Sequence, residues 1–142
     1  MYKDPLLILL ADDDEGDRMI FLEALSEIDF KTVVQTVVNG AQLMEMIKLK
    51  DAHLPDIIFL DLNLPRKNEM DCLKEIRTTA SLKNIFIAIY STSANQHDIE
   101  VRTNSGANVY ITKPNSFSKL KEILETTLSQ AVQFKCDPFR KV

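Results

Sequence analysis

Three stretches of this chain, LLILLA at 6–11, DIIFLD at 56–61 and IFIAIY at 85–90, are apolar almost without interruption over the length of a strand. A strand with one wet face alternates between apolar and polar residues. Near-continuous apolar runs belong to strands buried on both faces, as in a parallel sheet covered by helices. Two more runs, TVVQTVV at 32–38 and NVYIT at 108–112, complete a set of five.

Helical spacing fills the gaps between them. Phe21, Leu25 and Ile28 share a face of a helix over about 15–28, Leu43 and Ile47 over about 40–50, and Leu73, Ile76 and Ala80 over about 69–80. Phe117, Leu120, Leu124, Leu128 and Ala131 mark a helix over about 116–131. The segment NQHDIEVRTNS at 95–105 has few apolar anchors, yet its place between two strands demands a crossover. Five strands alternating with five helices predict an α/β doubly wound fold with a parallel sheet.

Composition narrows the function. The 142 residues suit one domain spanning 1–142, with a core over about 6–130 and a short C-terminal tail over about 132–142. A formal net charge of −4 leaves no cationic footprint for nucleic acid or an anionic membrane. No apolar run approaches the roughly 20 residues of a membrane span, and MYKDP is too short and polar to open a secretory signal. Cys72 and Cys136 lack metal or redox spacing, so reduced thiols and a cytoplasmic location are expected.

In open α/β sheets, sites form beyond the carboxyl ends of the strands. The first strand ends in Asp12-Asp13-Asp14, the third in Asp61, the fourth in Ser91-Thr92-Ser93 and the fifth in Lys113-Pro114. Asn39-Gly40, after the second strand, reads as turn chemistry. Carboxylates gathered from the first and third strands would repel one another without compensation. A hard divalent cation such as Mg²⁺, which prefers oxygen ligands, is the usual remedy. Such a metal site beside a lysine and a hydroxyl suits the binding or transfer of a phosphoryl group. Asp14, with Asp17 three residues on, fits a helix N-cap instead. His53 and His97 read as solvated residues, and Cys72 as a packing residue.

LLILLADDD, PDIIFLDLNLPR, IAIYSTSA and GANVYITKP together resemble the four signature segments of response-regulator receiver domains, over about residues 6–130. With no effector domain in the sequence, the chain is similar to stand-alone regulators of two-component phosphorelays. The resemblance implies a flavodoxin-like (βα)5 fold with strand order 2-1-3-4-5. It implies that Asp61 is the phosphoacceptor, taking a phosphoryl group from a histidine kinase or a histidine phosphotransfer protein. Asp13 and Asp61 would ligate Mg²⁺ directly, Asp12 through water, and the Asn63 backbone carbonyl would be a further ligand. Lys113 would pair with Asp61, Ser91 would be the switching hydroxyl and Tyr110 the switching aromatic. The Lys113–Pro114 bond would be cis. Phosphorylation would reshape the face of the fourth helix, fifth strand and fifth helix for an output partner, and that face could also serve a homodimer. The protein would be a signalling phosphoprotein with only self-catalysed phosphotransfer and dephosphorylation, not an enzyme with turnover.

One departure stands out. Receivers usually place Asp-Gly or Asn-Gly after the DLNLPR segment, whereas Lys67-Asn68-Glu69 stands here. Glutamate is disfavoured at positive φ. Either the turn is rebuilt or Asn68 takes the strained position. Two other readings remain at this stage. One is a phosphorylation-independent docking module, for which Glu69 is an argument. The other is a haloacid-dehalogenase-type phosphatase, whose D-x-D-x-[TV] pattern neither Asp61 nor the 12–16 segment reproduces.

Overall fold

The computed structural model describes residues 5–49 and 53–136. Its elements are β1 (Leu6–Ala11), α1 (Glu15–Ser26), β2 (Thr32–Val37), α2 (Gly40–Ile47), β3 (Ile57–Asp61), α3 (Glu69–Thr78), β4 (Phe86–Ser91), α4 (Gln96–Asn104), β5 (Val109–Thr112) and α5 (Phe117–Cys136). The strands form one parallel sheet in the order β2-β1-β3-β4-β5. This is the doubly wound, flavodoxin-like arrangement expected from the sequence.

The side-chain period of two explains the layering. Leu6, Ile8 and Leu10 point to one face, with Phe21, Leu25, Leu120, Leu124 and Leu128 from α1 and α5. Leu9 and Ala11 point to the other, with Leu43, Ile47, Leu73 and Ile76 from α2 and α3. The central strands β1, β3 and β4 are buried along nearly their whole length, whereas edge strand β2 is largely exposed. Helix α4 contributes no buried residue at all, so the weak amphipathicity of its sequence is a real property of its packing.

One boundary differs clearly from expectation. Helix α5 runs to Cys136, so residues 132–136 of the expected tail are helical, while 137–142 lie outside the described residues. The extension follows from contacts the apolar stripe alone did not reveal. Phe134 packs edge-on to Phe86 at 5.5 Å between ring centres, and Lys135 pairs with Asp56 at 2.5 Å. Helix α2 begins at Gly40, as its apolar spacing suggested, and Asn39 is its N-cap as well as the turn residue after β2. The Asn39 side chain accepts from the Gln42 amide, capping α2.

Gly40 is required by space. A Cβ there would lie 1.8 Å from the Lys67 carbonyl oxygen, which is backbone and cannot rotate away. Gly40→Ala is therefore expected to lower stability by about 1–3 kcal/mol, the usual range for overpacking. Urea unfolding measures it, and an unchanged midpoint would contradict the close approach.

Candidate functional site

Parallel register brings the strand ends to one edge. Asp61 lies opposite Tyr90, and Ser91 opposite Thr112, one residue before Lys113. Asp12 follows the last residue of β1, and its amide donates to the Val37 carbonyl of β2, extending the ladder by one step. The chain then turns at once. The Asp14 amide donates to Asp12 Oδ1 at 2.9 Å, and Asp14 Oδ1 accepts from the Asp17 amide at 2.8 Å. Asp14 is thus the cap of α1, as its spacing from Asp17 suggested, and Asp12 is left facing the sheet edge.

One carboxylate oxygen from each of Asp12, Asp13 and Asp61 lies within 4.8 Å of the others. Asp12 is fully buried, Asp61 partly so and Asp13 exposed. An all-oxygen donor set of this span suits a hard cation with retained waters, which is what Mg²⁺ requires. Among the described residues no histidine or cysteine joins the cluster.

Lys113 supplies the positive charge in the structure itself. Its ammonium lies 2.8 Å from Asp17 Oδ2, 3.1 Å from Asp12 Oδ2 and 3.6 Å from Asp61 Oδ2, and sits over the Tyr90 ring at 4.9 Å. Burial alone would lower its pKa, but the hydrogen bonds to Asp17 and Asp12 and the charge of Asp61 raise it. Asp61 is pushed up to about 6, mainly by burial and further by the Asp12 charge, against the pull of Lys113. The Tyr90 hydroxyl is pushed up to about 12 by burial.

Ser91 is buried, and its Oγ accepts from the Ser93 amide at 3.1 Å. The Tyr110 hydroxyl donates to the Ser93 carbonyl at 2.9 Å, while Ser93 Oγ donates to Asp98 on α4 at 2.8 Å. Ser91 and Tyr110 are therefore joined through Ser93, and through Asp98 to α4. The Asn63 amide donates to Asp61 Oδ1 at 3.3 Å, which holds the turn after β3 against the acidic cluster.

One expectation about this edge is corrected. The Lys113–Pro114 bond is trans, as are all peptide bonds among the described residues. Trans is the lower-energy isomer by about 0.5–1 kcal/mol, and the long lysine stem reaches the acids from it. Of the two alternatives left for the turn after DLNLPR, Asn68 does not take the strained position. Its φ is −71°, and its side chain caps α3 by accepting from the Asp71 amide. The turn is rebuilt, with positive φ at Arg66 (69°). Glu69 is consequently the first residue of a regular helix and incurs no backbone penalty. Its buried side chain pairs with Arg102 Nη2 of α4 at 2.9 Å.

Sequence reasoning missed Asp17 and Tyr90 as members of this constellation. Asp17 stands in the first turn of α1, just after the acidic cluster, where its place beside the Asp14 cap explained it sufficiently. Tyr90 precedes Ser91 on a strand, so its ring points to the opposite face from the serine and under the lysine.

The family profile described as response regulator receiver domain matches residues 8–125. Response regulator Rcp1 of Synechocystis sp. is 30% identical over 125 residues, covering 85% of this chain and 85% of that protein. The probable methanogenesis regulatory protein FilR2 of Methanothrix harundinacea is 27% identical over 126 residues, covering 87% and 81%. Among solved structures, the phosphorylated cyanobacterial phytochrome response regulator RcpA superposes with a TM-score of 0.82 at 32% identity, covering 91% of this chain and 95% of that one.

Proposed function

The chain belongs to the response regulator receiver domain family, and from that premise we propose that Asp61 is its phosphoacceptor. Receivers are signalling phosphoacceptors of two-component systems that work with histidine kinases and bind Mg²⁺ at an acidic pocket. The observation that carries the assignment to this chain is the gathering of Asp12, Asp13 and Asp61 around one edge, with Lys113 held among them.

The chemistry follows from the positions. An Asp61 carboxylate oxygen attacks the phosphorus of a phosphohistidine. The new P–O bond forms as the P–N bond breaks, and the bond's electrons leave with the imidazole nitrogen, which takes a proton. Asp13, Asp61 and the Asn63 carbonyl would hold Mg²⁺ directly and Asp12 through water, and the ion would supply positive charge to the phosphoryl oxygens. Lys113 offers N–H donors from the other side. Ser91 and Tyr110 then act as the switch. Tyr110 exchanges its bond to the Ser93 carbonyl for an inward position, and the face built from α4, β5 and α5 changes for an output partner. The thin packing of α4 favours such a shift, because few apolar contacts oppose it.

The donor is a sensor histidine kinase or a histidine phosphotransfer protein. The likeness to RcpA, a phytochrome response regulator, makes a phytochrome-type kinase the first donor to try.

Incubation with acetyl phosphate and Mg²⁺ is expected to give one phosphoryl adduct by intact mass, absent in Asp61→Asn. An adduct that survives that substitution, or none in the wild-type chain, would overturn the assignment. The second outcome would favour the docking-module reading, which also requires that Mg²⁺ produce no binding signal sensitive to Asp13→Ala.

A further inference from the structure

We propose that Asp17 is a positioning residue for phosphoryl transfer, holding the Lys113 ammonium back from Asp61 in the resting protein. The inference rests on the phosphoacceptor reading above and adds a residue that the sequence assigned only to the first turn of a helix.

The distances rank the partners of Lys113. Asp17 at 2.8 Å and Asp12 at 3.1 Å are within hydrogen-bond reach, whereas Asp61 at 3.6 Å is not. An ammonium has three N–H donors. Two are committed to Asp17 on α1 and to Asp12 after β1. Asp17 is placed for this by the Asp14 cap, which fixes the first turn of α1.

The two short contacts are unequal in what it costs to give them up. Asp12 is fully buried, so it cannot exchange the lysine for water. The Asp17 side chain is 40% exposed and can. A phosphoryl group on Asp61 adds negative charge beside the ammonium, at the partner that is now the most distant of the three. Lys113 then moves toward it, and the contact released is the one whose carboxylate becomes solvated. Asp17 thus acts through Lys113 and touches neither the phosphoryl group nor Asp61.

Asp17→Asn keeps the shape and an oxygen acceptor but removes the competing charge. Adduct formation from acetyl phosphate is expected to become about fivefold faster, the size of one partly exposed ion pair. The gain should vanish in a Lys113→Met background, because the residue acts through that lysine. Glu15→Gln, which removes a neighbouring charge on α1 that is not an ion-pair partner of Lys113, should give no comparable gain. A readout independent of the reaction is the ¹⁵N signal of the Lys113 ammonium without donor or metal. Asp17→Asn should shift it and speed its proton exchange, and Glu15→Gln should not.

A wild-type adduct with an unchanged Asp17→Asn rate, or a gain that persists without Lys113 or appears equally in Glu15→Gln, overturns this proposal alone. A wild-type chain that forms no adduct overturns the phosphoacceptor reading as well.

Discussion

In metal-free solution at pH 7, Lys113→Met is expected to lower the stability of this chain by about 3–5 kcal/mol, the usual cost of leaving a buried charge without its partner. The buried charge is Asp12, which is fully enclosed, and Asp61 stands nearby with little exposure. Without the ammonium, each raises the cost of ionising the other. The pH dependence has a definite sign. Asp61 has its folded-state pKa raised from 3.8 to about 6, so the folded chain takes up a proton more readily than the unfolded one. Its contribution to stability is therefore present at low pH and lost as pH rises through that window. In the variant the Lys113 attraction is gone, so the loss between pH 5 and pH 7 should be steeper than in the wild type. Asp61→Asn, by contrast, should flatten it. Added Mg²⁺ should narrow the gap between Lys113→Met and wild type, because a cation among the three carboxylates does the work of the missing ammonium. Urea unfolding at both pH values, in EDTA and in Mg²⁺, reads all of this. Equal stability of variant and wild type at pH 7 in EDTA would contradict the electrostatic account of the cluster.

That cluster shows what a sequence can and cannot disclose about such a site. Asp12, Asp13, Asp61 and Lys113 were legible because each ends or follows a strand, and a parallel sheet brings strand ends to one edge whatever the side chains are. Asp17 was not legible in this role, because a helix start explains an acid there equally well. Which carboxylate a flexible lysine chooses is decided by distances that no spacing rule gives. The turn before Glu69 was left open for a related reason. The family's usual glycine left either a rebuilt turn or a strained Asn68, and the turn is the rebuilt one, with the positive φ at Arg66 and Asn68 as a cap. Turn geometry depends on where the next helix begins, and that boundary was correct at Glu69 even though its consequence was not drawn. For α5 the stripe was correct but its end was not, since Phe134 and Lys135 are held by partners on β4 and just before β3.

Glu69 itself yields the second large effect. Glu69→Ala is expected to cost about 3 kcal/mol and to loosen α4 more than any other element. The Glu69 side chain is only 2% exposed and Arg102 only 17%, and burial raises the Glu69 pKa against the attraction of Arg102. Removing one member of such a pair leaves the other charged and poorly solvated, whereas an apolar replacement of both is often close to neutral. The double substitution Glu69→Leu with Arg102→Met should accordingly be less damaging than Glu69→Ala alone. The local effect follows from how little else holds the helix. Helix α4 buries no residue, so Arg102 to Glu69 is its tie to α3, and Asp98 to Ser93 its tie to the segment after β4. Arg102 also pairs with Asp98 at 3.3 Å, so the two ties share a residue. Cutting the first weakens the second, and through Ser93 it reaches Ser91 and Tyr110. Amide hydrogen exchange is expected to quicken across Gln96–Asn104 in Glu69→Ala, with β1 and β3 changed only as far as global stability falls. Glu100→Ala, which removes an exposed acid from the same helix, is the control. If the two variants exchange alike over α4, the buried pair does not hold that helix, and the loop after β3 has no polar route to the switch residues through it.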